Sequence, residues 1–210
     1  MKRKRNLWLP ILLLAVFALT RWPGLLPPNF SAAYALAFCA GVYFPGRLAW
    51  WLPMSVLLVT DVLLNLHYDA PLLSGYMALN YVAYALLIGL GHRFSARSSW
   101  LKLLAGGLVG AILFYLVTNT AAWFNPAPGP FPQEPYPKSL LGWIQALTIG
   151  SPPWPPTWTF FRNTLMSGGL FTALFAGAMK FNEARKPAED EETEEEEESA
   201  PEGEPEKAEA

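Results

Sequence analysis

Cysteine, histidine and acidic residues are scarce in this 210-residue chain, and each scarcity closes off a class of function. Cys39 is the only cysteine and there are two histidines, so neither an intrachain disulfide nor a thiolate metal cluster can form. Cys39 itself lies in an apolar stretch, where a small buried packing residue is the expected role. Of 17 acids, only Asp61, Asp69 and Glu134 precede residue 183. The chain also lacks a Gly-x-Ser-x-Gly elbow, a His-Glu-x-x-His pair and a phosphate-cradling P-loop. These gaps lead us to expect a protein that is not an enzyme, that carries neither cofactor nor metal, and that has no nucleic-acid partner.

Apolar residues are what the chain has in quantity. They make up 52% of it, against 15% charged, with a mean hydropathy of +0.22. Soluble domains carry roughly a quarter charged residues, so the composition points to the lipid bilayer. The net charge of −2 conceals a division. Residues 1–182 hold twelve bases and three acids, a balance of +9, whereas residues 183–210 hold three bases and fourteen acids, a balance of −11. We read 1–182 as a transmembrane domain. Residues 183–210, with no aromatic after Phe181, read as a disordered acidic cytoplasmic tail.

Six apolar segments are candidate spans: Leu7–Trp22, Phe30–Phe44, Leu48–Leu66, Pro71–Leu90, Trp100–Phe124 and Trp158–Phe181. The first follows Lys2-Arg3-Lys4-Arg5, which also suits a signal peptide, but the Arg21-Trp22-Pro23 that ends it favours a retained helix at a membrane interface. Ser139 to Gly150 is too short for a span and suits an interfacial or re-entrant helix. The fold expected is all-α, a polytopic membrane helix bundle with six transmembrane helices plus that short piece. Bases concentrate in the connections on one side, at Lys2 to Arg5, Arg47, Arg93, Arg97, Lys102 and Lys180 to Lys186. The other side receives Arg21, Lys138 and Arg162, so both termini are expected in the cytoplasm.

Polar side chains within the spans gather toward the outer ends. Asp61 and Asn65 lie one turn apart on the third span, Tyr76 and Asn80 share a face of the fourth, and Tyr115, Thr118 and Asn119 lie in the outer part of the fifth. Arg162, Asn163 and Thr164 begin the sixth, and Asn29 opens the second. Polar groups are costly in lipid and face a bundle interior or a cavity. The candidate solute-binding residues are Asp61, Asn65, Tyr76, Asn80, Tyr115, Asn119, Trp123, Arg162 and Asn163. Two bland alternatives stand beside this: Asp61 and Arg162 as an ion pair locking the third span to the sixth, and Asn, Thr and Tyr as staples between helices. Small residues repeat every fourth position at Ala33, Ala37, Gly41, at Gly106, Gly110, and at Gly169, Ala173, Gly177, which marks packing seams or an external docking stripe.

Several separated motifs carry a resemblance. Arg21 with Pro27-Pro28-Asn29-Phe30-Ser31, Asp61, Val117-Thr118-Asn119 with Trp123, and Phe160-Phe161-Arg162-Asn163-Thr164-Leu165 fall in the order seen in an uncharacterised bacterial membrane-protein family. That family resembles the substrate-binding S components of energy-coupling-factor (ECF) vitamin transporters. The resemblance implies six helices in the bacterial cytoplasmic membrane and a site near the outer face for a small vitamin-like or precursor molecule. It also implies docking onto a transmembrane coupling subunit with ATPase subunits. The alternative is a non-transporting structural or assembly protein whose acidic tail recruits a cytosolic partner.

Overall fold

An apolar run in lipid has no water to satisfy its peptide groups, so it closes its own hydrogen bonds as helix. The computed structural model describes residues 8–72, 75–124 and 136–199, with side chains at 11–72, 77–124, 136–182 and Ala184. Among these residues it contains seven helices and no strand: α1 (Trp8–Thr20), α2 (Ala33–Tyr43), α3 (Leu48–His67), α4 (Gly75–Gly91), α5 (Trp100–Phe124), α6 (Leu140–Leu147) and α7 (Thr157–Ser199).

Three are long and apolar enough to cross a membrane: α3, α5 and the Thr157–Asn182 part of α7. At about 1.5 Å per residue they reach about 30, 38 and 39 Å, against roughly 30 Å of hydrocarbon. Helices α1, α2 and α4, of 13, 11 and 17 described residues, are shorter, so the expectation of six spans narrows to three helices of spanning length. The cause is visible at α2. Hydropathy counts Phe30, Ser31 and Ala32 into the second span, but Pro27 and Pro28 lack an N–H to donate and Asn29 turns the chain at φ 59°. Helix therefore starts only at Ala33, where the Ser31 hydroxyl accepts the first amide at 3.2 Å.

The short α2 is the axis of the bundle. Nine consecutive residues, Ala33 to Gly41, are buried, and the helix packs against α3, α4, α5 and α7 and touches α1. Its closest approach is to α4 at Gly41 and Gly91. A Cβ on Gly41 would lie 2.2 Å from the Ile88 carbonyl oxygen, and one on Gly91 would lie 2.1 Å from that of Phe38. Helices α5 and α7 meet in the same way, with Gly107 against Thr172 and Gly168 against Ala111. The repeat Ala33, Ala37, Gly41 is therefore an internal seam. Gly106 likewise faces Phe38 and Phe94 inside the bundle.

Helix α6 is eight residues, capped where the Ser139 hydroxyl accepts the Gly142 amide at 3.2 Å. It buries Gly142 and Ala146 and exposes Leu140, Leu141 and Ile144, a one-sided pattern that suits an interfacial position. Helix α7 continues through the acidic run to Ser199, and residues 200–210 lie outside the described part. Glutamate, alanine and lysine are strong helix formers, so a helix already nucleated in the bundle can propagate into them.

Candidate functional site

Helices α1, α3 and α5 end where α2, α4 and α7 begin, and at that end of the bundle the structure holds a cavity of about 680 Å³. The connection between α1 and α2, Arg21 to Ala32, roofs it.

The floor is aromatic. Tyr34 of α2, Tyr84 of α4 and Phe114 of α5 are all buried, with the phenylalanine ring 4.7 Å from Tyr34 and 4.9 Å from Tyr84 between centroids. Asn80 lies one turn before Tyr84, and Thr118 and Asn119 follow one turn after Phe114, so two helix faces carry polar groups above the floor. Tyr136, Ser151 and Thr157 complete the wall, each largely buried. Burial pushes the Tyr136 phenol above its usual value, which keeps it a neutral hydrogen-bonding group. Gly150, at φ +77°, lets this wall turn where a side chain would be strained and would meet the Thr157 hydroxyl at 2.6 Å.

The roof is tied down at three points. The Ala32 amide donates to Thr20 Oγ1 at 3.0 Å, the Tyr34 hydroxyl donates to the Asn29 carbonyl at 3.2 Å, and Asn163 Nδ2 of α7 donates to the Pro28 carbonyl at 3.0 Å. Replacing Asn163 by alanine is expected to lower stability by about 1–2 kcal/mol, because it leaves that carbonyl without its partner. It should also speed hydrogen exchange of the amides from Gly24 to Ala32. Unchanged exchange there would show that the tie is idle.

Of the candidate residues, Asn80 and Asn119 line the cavity. The others are placed differently. Asp61 forms an ion pair with Arg21, whose guanidinium donates to Asp61 Oδ1; the two side chains are 14% and 16% exposed. Arg162 is therefore not the partner of Asp61. It is exposed, its guanidinium 5.7 Å from the Trp158 ring centroid, and it does not line the cavity. The Tyr115 hydroxyl donates to the Leu147 carbonyl and pins α6 to α5. The side chain of Tyr76 lies outside the described residues.

Asn65, Trp123 and Asn163 share one task. Asn65 Nδ2 donates to the Pro71 carbonyl at 3.0 Å, Trp123 Nε1 to that of Pro137 at 2.8 Å, and Asn163 to that of Pro28. Each satisfies a carbonyl in a proline-containing connection, where backbone donors are few. Reading the sequence by helix depth missed Arg21, Ser31, Tyr34 and Tyr84 as cavity residues. Arg21 reads as an interfacial residue ending the first span, and the aromatics look like ordinary core.

Among the described residues, no three His, Cys, Asp or Glu side chains cluster as a metal site would need. No curated protein and no solved structure matches the chain. Residues 1–189 match a family of unknown function (DUF6580), and the chain belongs to that uncharacterised family.

Proposed function

We propose that this is a membrane solute-binding protein of the ECF S-component type, which takes up a small vitamin-like or precursor molecule through the cavity at one end of its bundle. The observation that carries the reading is the cavity itself. Its volume lies within the roughly 300–1,000 Å³ range of small-molecule sites, and it combines a buried aromatic floor with the side-chain amides of Asn80 and Asn119. Helices α1, α2 and α4 count as further spans in this reading, tilted or flanked by interfacial residues. Orientation follows the bases. Arg47, Arg93, Arg97, Lys102 and Lys180 lie toward the end opposite the cavity, which supports an outward-facing cavity with both termini in the cytoplasm. With no ATP-binding motif in the chain, energy for uptake comes from a coupling subunit and its ATPases in the bacterial cytoplasmic membrane.

The three side chains bonded to proline-loop carbonyls favour a second reading, a structural or assembly protein with a polar end built of staples and an acidic tail that recruits a partner. One experiment separates the two. Full-length protein purified in mild detergent is denatured, and the released small molecules are identified by mass spectrometry. A stoichiometric solute is expected, retained at least tenfold less by Asn119→Ala while the melting temperature moves by only a few degrees. Absence of any released solute, with Asn119→Ala altering melting alone, favours the staple reading.

A further inference from the structure

The chemistry of the cavity wall narrows the class of solute, an inference that rests on the solute-binding reading above. Arg21 is the only charged side chain among the described lining residues, and its charge is already matched by Asp61. What remains is neutral and directional. Asn119 spends its Nδ2 on the Tyr115 carbonyl at 2.9 Å, so its Oδ1 is left as an acceptor. Asn80 has no hydrogen-bond partner among the described residues, so its amide offers both a donor and an acceptor. Below them lie the rings of Tyr34, Tyr84 and Phe114.

We infer that the cavity takes an uncharged, planar heteroaromatic molecule whose edge carries a hydrogen-bond donor beside an acceptor, as a ring carboxamide or a nucleobase-like lactam does. Its donor meets Asn119 Oδ1, its acceptor takes an N–H from Asn80, and its ring lies against the aromatic floor. A solute anion would find neutral donors but no unmatched positive charge, since the Arg21 guanidinium is already paired with Asp61. A cation would find electron-rich ring faces but Arg21 close by and, among the described lining residues, no carboxylate. Neither charge would meet a free counter-charge on leaving water, whereas a neutral ring pairs both groups of its polar edge with Asn80 and Asn119.

The test holds the ring constant and varies charge. Trp22 and Trp154 line the cavity, so tryptophan fluorescence of the detergent-solubilised full chain reports occupancy. Titrations with nicotinamide, nicotinate and 1-methylnicotinamide present the same ring as neutral, anionic and cationic. Nicotinamide is expected to bind at least tenfold more tightly than either charged form, and Asn80→Ala to reduce its affinity about tenfold or more. A released natural solute that is neutral, planar and heteroaromatic supports the inference equally. Tighter binding of nicotinate or 1-methylnicotinamide, or release of a charged or non-planar solute, overturns the assigned class and leaves solute binding standing. If no probe binds and no solute is released, both fall together.

Discussion

Placing alanine at position 41 is expected to destabilise the bundle by about 3 kcal/mol, at the upper end of the range for overpacking a tight interior. The added methyl has no flexible neighbour to displace. It would meet the Ile88 carbonyl oxygen at 2.2 Å, the Gly91 Cα at 2.9 Å and the His92 nitrogen at 3.0 Å, all of them backbone. Relief requires α2 and α4 to separate, and α4 carries Asn80 and Tyr84 away with it. Gly89 and Gly177 provide the control, since a methyl on either has nothing within 4 Å. Alanine at those positions should be neutral or stabilise by up to about 1 kcal/mol, the helix-propensity difference between the two residues. Thermal unfolding in one detergent compares all three. If Gly41→Ala melts with Gly89→Ala, the close seam does not exist in solution.

Removing the Asp61 carboxylate is the other change with a large expected effect. Both members of the Arg21–Asp61 pair are mostly withdrawn from solvent, and Asp61→Ala leaves the guanidinium without its counter-charge. Breaking one side of such a pair costs about 3–5 kcal/mol, most of it the penalty for the stranded charge. Arg21→Ala should cost a similar amount. The double variant Arg21→Ala/Asp61→Ala should be distinctly more stable than the two single losses added together, because no charge is then stranded. A double-mutant cycle in melting experiments reads this directly, and strictly additive losses would show that the pair carries no coupling.

Much of the architecture was legible because lipid leaves the backbone few choices. The third and fifth segments, read as Leu48–Leu66 and Trp100–Phe124, appear as α3 and α5 with almost the same ends. Of the polar side chains that depth within the spans groups at one end, Asn80 and Asn119 line the cavity. What escaped is of two kinds. Pairing needs the third dimension: as rare charges near span ends, Asp61 and Arg162 suggest an ion pair as one alternative, but α1 packs beside α3 and brings Arg21 to Asp61. The second kind left a signal that went unused. Proline-containing connections present carbonyls and few amides, so donors must come from the nearest helices. Asn65, Trp123 and Asn163 fill that need, and a count of loop donors against loop acceptors would have separated them from Asn80. The length of α2 was hidden for a related reason, since hydropathy weighs side chains and is blind to a residue such as Asn29 at φ 59°.

The seclusion of α2 bears on how the molecule is made. Eleven residues surrounded by neighbouring helices are too few to settle in a bilayer as an independent rod. Two of its four main neighbours, α5 and α7, lie late in the chain, so the segment has to wait for them before its final environment exists. Biogenesis therefore resembles closing a barrel around a peg rather than adding staves one by one, and the hollow above the peg takes shape only in that last act.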